Sequence, residues 1–395
     1  MKQYLRNIIN LPFSVKLFLI TEALFGFSIG VWNLTLNFHF KVNGLSDINI
    51  GTVVSFGLFI TAVVSVFAGI LSDKIGYRPI MTLGCLIQGM GMIFLALFPD
   101  NTLAYIGQFI YGFGYAFILA SEFPFITGLV EERFKQLVYN LLIGTYLLAM
   151  VFGSMIGGVL PSWMHNSQNP YFLAILLSGI CFILMGIGRS MLPAYRAPLK
   201  SQRSFFTIIM NKKILSYIIY GIITSTFLNM INSMLNLIFR DRYKLPDSTI
   251  GIIFSIISIV GSIAAFIVPY LAGRFKGANV AVVTMIIQSV VISCMSFAGT
   301  YVFSLFIIVR SFVGCITQGN VDSYMLQSVS EHERGAYSGV RIFGNNIGMA
   351  IGAALAGMFT MEHSYVSLFL TAGGFTIIQI FIYNLLCKKY FFNND

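Results

Sequence analysis

The sequence predicts an all-α membrane protein of twelve transmembrane helices, arranged as two six-helix bundles in parallel repeat. Three observations carry that expectation. Hydrophobic residues make up 57% of the chain and charged residues 10%, whereas a soluble domain carries about a quarter charged. Apolar runs long enough to cross a hydrocarbon core, roughly 20 residues for about 30 Å, recur twelve times. A polar turn is also repeated: "NGLSDINIG" at 43–51 returns as "YKLPDSTIG" at 243–251, so that Leu45, Asp47, Ile50 and Gly51 match Leu245, Asp247, Ile250 and Gly251 without a gap.

The first six runs lie near 15–40, 48–72, 79–98, 102–128, 135–162 and 170–192, and the second six near 214–239, 248–272, 279–299, 302–328, 336–360 and 364–387. Between them stands the longest loop, "PAYRAPLKSQRSFFTIIMNKK", a basic segment that divides the chain into an N-terminal bundle (1–192), a cytoplasmic linker (193–213) and a C-terminal bundle (214–395). The 200-residue offset also sets Gly114 against Gly314, Gly157 against Gly357 and Glu122 against Asp322. Two halves of the same topology are the parallel repeat of one large transporter class, with the substrate site at their interface near midplane. Each copy of the turn starts the second helix of its half, where Ser46 or Asp47, and Asp247 or Ser248, are expected to cap free N–H groups.

The net charge of +10 raises nucleic acid as a partner, and its placement argues against that. With the N-terminus inside, the cytoplasmic segments collect 18 of the 24 Lys and Arg residues. Lys41, Arg240, Arg242 and Lys244 fall on outer loops, and Arg310 and Arg341 within predicted helices. The asymmetry follows the positive-inside rule and predicts a multi-pass cell-membrane protein with both termini cytoplasmic. The first run is too long for a signal peptide and lacks a small-residue cleavage site. Five scattered cysteines and four scattered histidines offer no disulfide framework or metal spacing, so neither a metal nor another cofactor is expected.

Between the second and third runs stands "GILSDKIGYRPIM", residues 69–81. It resembles the signature loop of the major facilitator superfamily: Gly69, Leu71, Asp73, Lys74, Gly76 and Arg78 match, while Tyr77 replaces the first of the usual basic pair. Gly76 supplies backbone freedom for the turn, and Lys74 and Arg78 suit an anionic inner leaflet. The resemblance implies that Asp73 helps to latch the two halves on the cytoplasmic side, close to the positive end of a facing helix. The second half has Gly273 at the position of Asp73. Gly144, Gly153, Gly157 and Gly158 partly resemble the glycine-rich fifth helix of drug:proton antiporters, but Gln108 stands where that group usually carries an arginine.

Ionisable groups inside a bilayer cost several kcal/mol at midplane and default to functional candidates. Glu22, Glu122, Arg310, Asp322 and Arg341 form the set identified within the predicted helices. The family layout implies that helices 1, 4, 7 and 10 line a central cavity, which places four of the five there. Glu22 and Glu122 have no basic neighbour in their own helices and are the expected proton carriers, since an apolar cavity draws a carboxylate toward neutrality. Arg310 lies twelve residues from Asp322, roughly 18 Å along a helix, so Asp322 is expected to pair with Arg341 as an inner gate or fixed ion pair. Arg310 is a candidate for an anionic group of the substrate. Asn33 and Asn37 on helix 1, with Asn229, Asn232 and Asn236 on helix 7, are candidate substrate contacts; the last three follow i, i+3, i+7 and predict one helical face.

The expected function is secondary transport of a small organic solute by alternating access, as a monomer in the lipid bilayer. Proton-coupled efflux of amphiphilic or drug-like compounds is preferred, with proton-coupled uptake of a sugar, amino acid or organic anion as the alternative. A transport-inactive receptor of the same fold is a remote third. No catalytic constellation or nucleotide-binding motif is present in the sequence, so an enzyme is not expected.

Overall fold

The computed structural model describes residues 11–164, 167–195, 211–274, 277–329 and 334–387. Its helices are α1 (Phe13–Val42), α2 (Asp47–Ile75), α3 (Tyr77–Leu97), α4 (Asn101–Gly128), α5 (Glu132–Trp163), α6 (Phe172–Ser190), α7 (Lys212–Asn232), α8 (Asp247–Arg274), α9 (Gly277–Met295), α10 (Thr300–Ser328), α11 (Arg334–Met361) and α12 (Tyr365–Ile382). No strand is present among the described residues. Among the described residues, eleven spans are long and apolar enough to cross a membrane, and Asn279–Met295 is a shorter apolar helix beside them. Large apolar side chains such as Phe67, Ile377 and Phe381 point outward, as a lipid-facing surface requires.

The two halves pack alike. In the first, α1 lies against α5 and α6, α3 against α4 and α6, and α2 against α4. In the second, α7 lies against α11 and α12, α9 against α10 and α12, and α8 against α10. The halves then meet through two crossings, α2 with α11 and α5 with α8, which are equivalent under the repeat. The basic linker lies largely outside the described residues.

The repeated turn is repeated in conformation. Gly44 (φ 87°) and Lys244 (φ 54°), at matching positions, both occupy the left-handed region, which costs a lysine more than a glycine. Ser46 caps α2 by accepting from the Asn49 N–H at 3.3 Å, as expected of it. Asp47 and Asp247 are used differently: their carboxylates reach Lys41 and Tyr171 rather than the backbone of their own helices.

We call the side of the molecule bearing these turns the turn face, and the side bearing the α2–α3 loop the loop face. One buried apolar cluster runs through both halves toward the turn face and includes Phe38, Ile50, Phe239 and Ile250. Near the loop face each half has its own cluster, around Phe18 and Phe125 in the first and Tyr217 and Tyr337 in the second. The core is therefore shared between halves at one end and divided at the other.

Candidate functional site

At the loop face, Gly76 turns the chain between α2 and α3 with φ 113°. Tyr77, the departure from the family pattern, donates its hydroxyl to Asp73 Oδ1 at 2.6 Å. Arg78 Nη1 donates to the Leu192 carbonyl at 2.9 Å, tying the loop to the end of α6, and Lys74 is exposed. Gly69 has open space where a Cβ would stand. These contacts hold the loop within the first half.

Deeper in that half, Arg189 of α6 is fully buried and joins the two acids named from the sequence. Its Nη2 donates to Glu22 Oε2 at 2.8 Å and to Glu122 Oε1 at 2.7 Å. Thr21 Oγ1 accepts from Nε at 3.3 Å, and the guanidinium lies 4.7 Å from the centre of the Phe18 ring. The basic partner that neither acid has in its own helix is supplied by α6. Arg189 is the penultimate residue of α6, a position that in the sequence counts among the cytoplasmic cations. Position in sequence misled because a helix end does not coincide with the bundle surface when neighbouring helices run past it. Glu22 is nearly sealed at 3% exposure, while Glu122 keeps 12%.

The repeat mate of Glu122, Asp322, is paired differently. Arg341 of α11 meets it at 2.6 Å, with both side chains about one-third exposed. The same acid position is thus answered from α6 in the first half and from α11 in the second. The pair lies on the edge of a cleft inside the second half, bounded by α7, α9, α10, α11 and α12.

The asparagines do not share a face. α7 stops at Asn232 and resumes over Leu235–Leu237, and the break sends each amide elsewhere. Asn229 Nδ2 donates to the Met349 carbonyl of α11 at 2.6 Å. Asn232 Oδ1 accepts from Arg310 Nη1 at 2.8 Å. Asn236 exchanges with the first half: it accepts from Asn37 Nδ2 at 2.8 Å and donates to the Leu34 carbonyl at 2.7 Å. Asn37 also donates to the Ser233 carbonyl at 2.5 Å, and Asn236 Oδ1 accepts the Leu237 N–H at 2.9 Å. Two asparagines, one from each half, thereby satisfy backbone groups released by the broken helix, which lipid could not do. Asn33 is exposed. Arg310 is 3% exposed and, among the described residues, forms no ion pair.

Toward the turn face the halves are fastened. A Cβ on Gly51 would stand 2.7 Å from the Ala353 carbonyl and 2.8 Å from the Gly357 Cα, and one on Gly158 would stand 2.8 Å from the Asp247 carbonyl and 3.1 Å from the Gly251 Cα. Both crossings are glycine-on-glycine contacts that no larger residue fits. Around them, Lys41 bonds Asp47 and reaches Asp241 of the other half at 3.8 Å. Tyr171 donates to Asp247 Oδ2 at 2.5 Å and accepts from Arg240 Nη1 at 2.8 Å. Ser255 of α8 adds a bond to the Val151 carbonyl of α5 at 2.9 Å.

A family model described as the Major Facilitator Superfamily matches residues 17–341 and 218–388. Among curated relatives, an uncharacterized MFS-type transporter of Methanocaldococcus jannaschii is 25% identical over 45% of each chain. Multidrug resistance protein MdtL of Escherichia coli is 21% identical over 54% of this chain and 55% of its own. Multidrug resistance protein MdtH of Salmonella typhi is 21% identical over 45% and 43%. The matches thus span about half the length of these relatives. Among solved structures, the nucleoside transporter NupG superposes with a TM-score of 0.76 at 17% identity, covering 95% of this chain and all of that one. The human organic anion transporter MFSD10 gives 0.64 at 15% identity over 94% and 100%. Motif, helix packing and family match agree, and the chain belongs to the major facilitator superfamily.

Proposed function

We propose that this protein is a secondary active transporter that moves a small organic solute by alternating access and couples that movement to protons through Glu122 and Glu22. The observation that carries the reading is the sharing of one buried guanidinium by two carboxylates. With both ionised the cluster carries one surplus negative charge away from water, a costly arrangement that a single proton removes. Glu122, the less sealed acid, is the entry point, and Arg189 passes the change to Glu22 on α1. Proton arrival at Glu122 weakens its bond to Arg189 and so loosens α4 from α6.

The distribution of cations sets the loop face in the cytoplasm and the turn face outside. The closed turn face and divided loop-face core then correspond to an inward-facing state. Asp322 with Arg341 serves as an inner pair beside the second-half cleft. The signature loop, with Asp73 bonded to Tyr77, is the element that meets the other half when the loop face closes. The chain acts as a monomer in the cell membrane, with the linker dividing its two bundles.

Export of amphiphilic compounds is the preferred direction, in line with the names of the MdtL and MdtH relatives. Uptake of a polar solute is the second reading, favoured by the amides that line the second-half cleft. A growth comparison of expressing and non-expressing cells, against toxic amphiphiles and on sole nutrients, separates them. Resistance supports export; growth gained on one nutrient with resistance to nothing reverses the direction. Purified protein in liposomes that moves no solute under any ion gradient favours the receptor reading instead.

A further inference from the structure

One charge inside the helices is left over. Glu22 and Glu122 share Arg189, and Asp322 faces Arg341, but Arg310 of α10 forms no ion pair among the described residues. It is 3% exposed. Its Nη1 donates to Asn232 Oδ1 at 2.8 Å and its Nη2 reaches the Leu228 carbonyl at 3.4 Å, while the buried Nε has no hydrogen-bond partner among the described residues. A cation held in this way is costly. The repeat shows that the fold does not require it, since Trp32 and Ile110 hold the matching positions of the first half. The missing partner of Arg310 is therefore an anion from outside the chain.

Its surroundings show where that anion would stand. Asn232, which bonds Arg310, is followed by Ser233, whose carbonyl accepts from Asn37 of the first half at 2.5 Å. Asn33 lies one turn inward of Asn37 on the same face of α1, about 6 Å along the helix. Asn33 and Asn232 are both exposed, although Trp32, Leu34 and Ile231 beside them are buried. Amides open at this depth belong to a watered space between the halves, because lipid cannot satisfy them. Asn232 spends its oxygen on Arg310 and keeps its Nδ2 free, and Asn33 has no hydrogen-bond partner among the described residues. Two amide donors, one from each half, thus open beneath the closed turn face with a guanidinium behind one of them.

We infer that Arg310, Asn232 and Asn33 form an anion subsite between the halves, and that the solute it takes is an amphiphile carrying a single carboxylate. One unmatched cation suits one negative charge, and two amide N–H groups suit the two oxygens of a carboxylate. Away from bulk water the attraction of the guanidinium for that charge is strengthened. The inference deepens the transporter reading and rests on its inward-facing assignment, but binding needs no gradient and is measured apart from transport.

The test uses purified full-length protein in detergent and three probes of one shape: para-fluorophenylbutanoate, its primary amide and the matching ammonium. Fluorine NMR line broadening reports binding. The carboxylate broadens and the other two do not. Arg310→Gln weakens carboxylate binding about tenfold without lowering the melting temperature, because the charge it removes had no partner. Asn232→Asp sets a fixed carboxylate against Arg310, so it raises the melting temperature and excludes the probe. Equal broadening by the amide, no broadening by the carboxylate, or carboxylate binding at parental strength in either variant overturns the assignment. Carboxylate binding that survives in a Glu122→Gln protein unable to pump separates failure of the coupling reading from failure of this one.

Discussion

Arg189 and Glu122 stand 2.7 Å apart between α6 and α4, and the same guanidinium nitrogen reaches Glu22 of α1 at 2.8 Å. Three helices of one half are joined at a single buried atom. Removing Arg189 leaves two carboxylates facing each other without a cation. Arg189→Leu is expected to destabilise the protein by about 3–5 kcal/mol and to abolish pumping. The triple variant Arg189→Leu, Glu22→Gln, Glu122→Gln recovers most of that stability and still fails to pump. Melting temperature in detergent, with transport in liposomes, checks both parts.

Asn37 and Asn236 form a second joint, between halves. Asn37→Leu strands the Ser233 carbonyl and removes one bond from Asn236. The closed turn face is expected to lose about 1–3 kcal/mol. A double-mutant cycle with Asn236→Leu is expected to show coupling of about 0.5–3 kcal/mol; strict additivity would mean the two amides act separately.

The glycine crossings make closure of the turn face an all-or-none fit. Gly357→Leu puts a branched side chain against the Asp47 carbonyl and Gly51 Cα, where even a Cβ would stand at 2.6 and 2.9 Å. The variant is expected to stay open at this face. A cysteine at Ser154, buried against the Gly251 backbone, then reacts faster with an impermeant thiol reagent than in the parent. The exposed Cys294 and Cys315 are replaced by serine in both proteins.

Tyr171 bridges Arg240 and Asp247 by its hydroxyl, and the Arg240 guanidinium also lies 5.6 Å from the centre of its ring. Burial, and then the bond to the Asp247 carboxylate, push this phenol above its ordinary value of 10. A raised folded-state value means that the contribution is fully present below about pH 10 and is lost only as pH rises through the folded value. Tyr171→Phe is therefore expected to weaken turn-face closure equally from pH 5 to 9, read by the same cysteine labelling. A loss confined to one end of that range would assign the effect to another group.

Much of this was legible in residues. The 200-residue repeat marks Gly51, Gly251 and Gly357 in the sequence, and the structure places these glycines at the crossings α2–α11 and α5–α8. The signature loop named the family without the fold. The Asp322–Arg341 contact followed from depth along two helices. What stayed hidden depended on tertiary placement. Arg189 read as one more inner cation at a helix end, although two unpaired acids at the same depth called for a positive partner there. Asn229, Asn232 and Asn236 fit a helical period in the sequence that the break at Ser233–Met234 cancels. Arg310 spends one guanidinium nitrogen on Asn232, a contact between α10 and α7 that no spacing in the sequence announces.

The coupling claim is tested most directly by Glu122→Gln in liposomes, comparing uptake driven by an imposed pH gradient with solute exchange at equilibrium. Proton-driven accumulation is expected to vanish while exchange continues near the parental rate, because the neutral amide holds the cluster permanently as if protonated. Accumulation and proton movement at parental rates in the Gln variant would contradict the account, and Glu122 would then be a structural partner of Arg189.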